Sequence, residues 1–133
     1  MTRPEMTRPE GAHLAVTFLY YRDLPAACRF YEDVLGLTLA IDQGWSRIYR
    51  IAAGAHVGLV DEARGMHRAH PVKPVQLCLG VPDVDAWRGW VEAQGVANLS
   101  AMFENDALGI RAFVFDDPEG YQIEIQSPTR EGA

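Results

Sequence analysis

Apolar positions along this chain recur with two periods, and the periods alternate in the order of a repeated unit. Residues 13–21 (HLAVTFLYY) form a nearly continuous apolar, β-rich run that reads as a buried strand. Arg22-Asp23-Leu24-Pro25 stops it and opens a helix. Asp23 is suited to the N-cap, and Pro25 fits the first turn, where a missing N–H costs nothing. Leu24, Ala27, Phe30, Tyr31 and Val34 then fall at helical spacing to about Leu35, and Gly36 suits the helix end. The period drops back to two over residues 37–42, 46–52 and 55–60, with turns at Gln43-Gly44 and Ala53-Gly54 between these strands.

Residues 61–74 (DEARGMHRAHPVKP) are polar and carry Gly65 and two prolines, as a connector does. The pattern then restarts: a strand over 75–81, a helix over about 84–93 capped by Asp83 and ended by Gly95, and strands over 97–103, 109–115 and 121–126. Asp23-Leu24-x-Ala26 matches Asp83-Val84-x-Ala86, Phe30 matches Trp90, and Gly36 matches Gly95, a period of roughly 60 residues. Trp87 and Trp90 belong to the second helix's apolar stripe and are expected to pack it on the sheet. The chain therefore reads as α+β, two tandem βαβββ modules forming a curled mixed sheet with helices outside. The expected division is an arm over 1–11 (two copies of a Pro-containing pentapeptide), one domain over 12–128 and a tail over 129–133. Within the domain, module one spans 12–61, the connector 62–73 and module two 74–128.

A length of 133 residues allows one domain with a core. The net charge of −6 argues against non-specific nucleic-acid or anionic-membrane binding and leaves room for cationic small ligands. Cys28 and Cys78 lack C-x-x-C spacing, which speaks against structural zinc and for a reducing compartment. With no long apolar run and no visible signal peptide, the cytoplasm is the expected location.

The stretch 112–126 (AFVFDDPEGYQIEIQ) carries the most distinctive pattern. Asp116-Asp117-Pro118-Glu119-Gly120 has turn chemistry, and Tyr121, Ile123 and Ile125 alternate with Gln122, Glu124 and Gln126. This hairpin, with RDLPAACRFYEDVLGL at 22–37, resembles the vicinal oxygen chelate superfamily of glyoxalase I, bleomycin-resistance proteins and extradiol dioxygenases. The resemblance covers nearly all of 13–127. It implies a homodimer and, in metal-using members, one divalent ion held by four side chains of the inner face. Carried over residue by residue, those positions fall on Val16, Gly58, Gln76 and Glu124. Valine and glycine offer no donor, and a glutamine oxygen is a weak one for zinc, nickel or iron. No cofactor is expected on this set. A divalent metal would need a different one, such as His56 and Glu124 with His67 and His70 of the connector.

The residues expected to line a ligand cleft are Phe18, Tyr20, Tyr49, His56, Gln76, Cys78, Phe113 and Glu124. Aromatics with a few convergent polar groups suit a flat organic molecule. Two functions follow. One is metal-independent binding of a small organic ligand, similar to the bleomycin-resistance branch. The alternative is a glyoxalase-like lyase, isomerase or dioxygenase using a non-standard metal site, or Glu124 as general base.

Overall fold

Residues 6–129 are described by the structure, a computed structural model; the readings of 1–5 as part of an arm and of 130–133 as part of a tail lie outside them. Module one runs β1 (Ala15–Tyr21), α1 (Leu24–Asp33), β2 (Thr38–Asp42), β3 (Ser46–Ala52) and β4 (Ala55–Asp61). Module two repeats it as β5 (Gln76–Gly80), α2 (Val84–Ala93), β6 (Phe103–Asn105), β7 (Ile110–Asp116) and β8 (Gln122–Pro128). Each module makes a four-stranded mixed sheet, in the orders β1-β4-β3-β2 and β5-β8-β7-β6. The first and last strands of a module pair parallel and the rest antiparallel. This is the tandem βαβββ architecture expected from the sequence, left open rather than closed into a barrel.

The repeat is visible in backbone detail. The Asp23 carboxylate accepts from Ala26 N at 3.1 Å, and that of Asp83 from Ala86 N at 3.0 Å, so both helices start on the same cap. Gly36 and Gly95 leave the helices at φ 68° and 71°, where a side chain would be strained. One expected strand is much reduced. Over 97–103 only Ala97 bridges to Asp116, and pairing resumes at Phe103. Asn98 sits between them in the left-handed region at φ 55°, which breaks the extended run.

One face of each sheet packs on the helices. Leu19, Tyr21, Tyr49, Val57 and Leu59 of module one join Phe113, Phe115, Ile123 and Ile125 of module two in a single core with Leu24, Ala27 and Tyr31 of α1 and Val84 and Val91 of α2. Burying each large apolar side chain is worth about 1.5–3 kcal/mol. The shared core therefore binds the modules together without a hydrogen-bonded sheet between them. Trp87 packs against this core, whereas the exposed Trp90 ties the two helices, its indole N–H donating to Val34 O at 2.8 Å. Among the described residues no helix is long and apolar enough to cross a membrane.

Candidate functional site

Strand alternation leaves the opposite face of each sheet free of helices, and this open face carries most of the expected site residues. In module one, Val16 lies opposite His56, Phe18 opposite Gly58 and Tyr20 opposite Val60, while Ile48 flanks Gly58 from β3. In module two, Gln76 lies opposite Gln122 and Cys78 opposite Glu124, with Val114 flanking Glu124 from β7. The rows Phe18–Gly58–Ile48 and Cys78–Glu124–Val114 are thus equivalents under the internal repeat, and so are Val16–His56 and Gln76–Gln122. One sequence duplication has diverged into an apolar floor on one side and a polar floor on the other.

The apolar floor is built by a contact. A Cβ placed on Gly58 would stand 2.5 Å from Phe18 Cδ1 and 3.2 Å from Val16 Cγ1. The Phe18 ring therefore occupies the space that a side chain at position 58 would need. Phe18 remains 46% exposed on its other side. Tyr20 is partly covered by the connector: its ring meets that of His67 edge-on at 5.2 Å, and a Cβ on Gly65 would stand 2.9 Å from it. His70 is spent locally, its Nδ1 accepting from Val72 N at 3.1 Å.

In the polar floor, Gln76 Nε2 donates to Gln122 Oε1 at 2.7 Å, and the Cys78 thiol donates to Glu124 Oε2 at 3.5 Å. Burial, then the Glu124 carboxylate, pushes the Cys78 thiol above its ordinary range, so it stays protonated near neutral pH. In this row it acts as a hydrogen-bond donor to Glu124.

Two of the residues expected to line the cleft lie elsewhere. Tyr49 is opposite Val57 and Phe113 opposite Ile125, on the helix-packed side, and both are fully buried. Tyr49 spends its hydroxyl on Glu32 of α1 at 2.8 Å. The remaining six, Phe18, Tyr20, His56, Gln76, Cys78 and Glu124, share the open face.

The residues present do not fit a divalent metal of the family type. Val16 and Gly58 offer no donor, Phe18 fills the space at Gly58, and Gln76, whose amide nitrogen is spent on Gln122, could offer only its weakly ligating oxygen. Among the described residues no three His, Cys, Asp or Glu side chains stand close enough together to hold an ion, which includes the combination of His56, His67, His70 and Glu124.

Sequence reasoning missed the role of the closing turn. Glu119 accepts from both Arg22 N and Asp23 N at 2.8 Å, and Asp117, almost fully buried, accepts from the hydroxyls of Tyr21 and Tyr31 and from Glu119 N and Tyr121 N. Burial pushes the Asp117 carboxyl upward against the lowering effect of these bonds, and burial pushes Tyr21 and Tyr31 well above the ordinary tyrosine range. The turn therefore fastens module two to the start of α1. The Asx turn was legible in the sequence, but its partners lie 86–97 residues away.

The comparisons with known proteins agree with this fold. The family model described as "Glyoxalase/Bleomycin resistance protein/Dioxygenase superfamily" matches residues 12–125. Among solved structures, a lactoylglutathione lyase from Agrobacterium tumefaciens is 24% identical over 95% of this chain and 100% of its own, with a TM-score of 0.71. A glyoxalase/bleomycin resistance protein/dioxygenase from Nocardioides is 20% identical over 95% and 89%, at 0.71. TioX from Micromonospora sp. ML1 is 21% identical over 89% and 99%, at 0.70. No curated protein matches the chain.

Proposed function

This chain belongs to the glyoxalase/bleomycin resistance protein/dioxygenase superfamily, and from that premise we propose that it binds a small organic ligand on the open face without a metal. The observation that carries the reading is the Phe18 ring seated over Gly58 where metal-using relatives need a ligand. In place of an ion the face offers an apolar bed of Val16 and Phe18 backed by the buried Ile48, and beside it a row of Gln76, Gln122 and Glu124. The first suits an aromatic ring system. The second suits hydrogen-bond donors or a cationic group, since among the described residues Glu124 forms no ion pair and its carboxylate takes one donor, the Cys78 thiol.

The test is a thermal-shift screen of aromatic amines and amides against tag-free protein, with and without EDTA. Ligands that stabilise the protein equally with chelator present, and lose that effect in Phe18→Ala and Glu124→Gln, support the reading. Stoichiometric zinc, nickel, iron or manganese in the purified protein, or binding abolished by EDTA, overturns it.

A further inference from the structure

A second cavity lies between the sheets. Among the described residues β1 pairs with β4 alone and β5 with β8 alone, so each turns an edge without a strand partner away from its own sheet. A cavity of 580 Å³ lies between these strands, touching Ala15 and Thr17 of β1 and Leu77–Gly80 of β5. Leu35, Gly36 and Trp87 close its helix side, and His56 reaches it from β4. A groove of 390 Å³ between the two helices shares Gly36 and Trp87 with it. The volume is within the ~300–1,000 Å³ of small-molecule sites.

Its lining fixes the chemistry of an occupant. Among the described residues no Asp, Glu, Lys or Arg lines it, so a charged ligand would find no charged partner there. The walls are mostly aliphatic, with the Trp87 indole, the Thr17 hydroxyl and the Cys78 thiol among them. His56 and Trp87 are the lining side chains with a ring N–H to offer, and His56 has a second ring nitrogen besides. Its Nδ1 is buried with no partner. Of the two neutral tautomers, the one protonated at Nε2 leaves only an acceptor unpaired at Nδ1, the cheaper orphan, and makes Nε2–H a free donor. We propose that this cavity, which borders the open face at His56 and Cys78, binds a small neutral aromatic molecule carrying one oxygen that accepts from His56.

Gly80 supplies the test. Its φ lies outside the left-handed region, and a Cβ there meets nothing within 4 Å. Gly80 lines the cavity and a side chain there meets no backbone strain, so Gly80→Phe is expected to take up part of the space. The probe is 2-naphthol, titrated by calorimetry and by 1H–15N NMR, with 2-naphthalenesulfonate as its charged counterpart. The expected result is saturable binding of 2-naphthol that moves the Trp87 indole resonance, falls at least about tenfold in Gly80→Phe and changes less than about twofold in Gly80→Ala. The sulfonate is expected to bind at least about tenfold more weakly. Unchanged affinity in a folded Gly80→Phe, equal binding of the sulfonate, or no binding at millimolar probe overturns the proposal. Shifts confined to Phe18 and Glu124 would overturn it too, while leaving the open-face reading intact. Should Gly80→Phe not fold, His56→Phe, which keeps a ring but removes the donor, is expected to weaken 2-naphthol at least about threefold, and an unchanged value overturns the proposal.

Discussion

At the scale of single residues, the open face turns on the contact between Phe18 and Gly58. Phe18 fills the space that a side chain at position 58 would need, so position 58 cannot gain one without the ring giving way. Gly58→Ala is expected to destabilise the protein by about 1–3 kcal/mol, because the new methyl overlaps a ring and a valine methyl. In Phe18→Ala the same change should cost far less, and a double-mutant cycle by chemical denaturation should give a coupling of at least about 0.5 kcal/mol. Additive costs would show that the ring does not hold the position. The equivalent residues of module two allow a test by titration. Burial and then Glu124 hold the Cys78 thiol up. Removing the carboxylate's charge in Glu124→Gln withdraws the second cause and leaves the first. The pH profile of Cys78 alkylation should therefore move to lower pH in the variant, yet stay above that of a free thiol. Cys28 is 1% exposed and should not interfere. A profile unmoved by the substitution would mean that the thiol and carboxylate do not interact in solution.

At the scale of elements, local signals carried far and register did not. The N-caps at Asp23 and Asp83, the helix-ending glycines and the turn at 116–120 were readable because each depends on residues a few positions apart. The assignment of Tyr49 and Phe113 to the cleft required knowing which face each strand's odd positions occupy. That is fixed by pairing with β4 and β8, where Val57 and Ile125 sit opposite them. Parity read from one strand does not transfer to its neighbour without the register. Strand β6 is short for a similar reason: the left-handed Asn98 breaks a segment whose composition permits a strand. The inter-sheet cavity left no local signature at all, since its lining comes from β1, β4, β5 and both helical regions. The closing turn shows the same division, an Asx turn by sequence and a clamp by structure. Glu119 holds two backbone N–H groups at the entrance to α1. Glu119→Ala should cost about 1–2 kcal/mol in chemical denaturation, while Glu119→Gln, which keeps an acceptor, should recover part of it. Equal stability of the Ala variant and wild type would mean that water replaces the carboxylate without loss.

At the scale of the whole molecule, two sheets that share no hydrogen-bonded ladder are held as one body by a common core and by a buried polar cluster across it. Tyr21 comes from β1, Tyr31 from α1 and Asp117 from the turn of module two; the hydroxyl of Tyr31 is 3.0 Å from the carboxylate and 3.1 Å from that of Tyr21. An apolar core tolerates small slips between modules, whereas a carboxylate that needs its donors in place fixes one arrangement. The cluster also sets the response of the molecule to alkali. Burial first, then the neighbouring negative oxygen and hydroxyl, keep Tyr21 and Tyr31 protonated far above the ordinary tyrosine value. In the unfolded chain both release their protons near pH ~10. Above that pH the native state binds more protons than the unfolded state, so stability falls as pH rises, by up to about 1.4 kcal/mol per pH unit for each such group. Below pH ~10 both states hold these protons, and the two tyrosines contribute no slope. Tyr21→Phe should lower stability at pH 7 by about 1–3 kcal/mol, because Asp117 loses a donor in a buried site. It should also make the decline above pH ~10 shallower by about one proton's worth. Denaturant titrations of wild type and variant between pH 7 and pH 11 measure both effects at once. A variant with the same alkaline slope as wild type would show that Tyr21 ionises in the folded protein, and that the cluster is open to solvent rather than sealed between the modules.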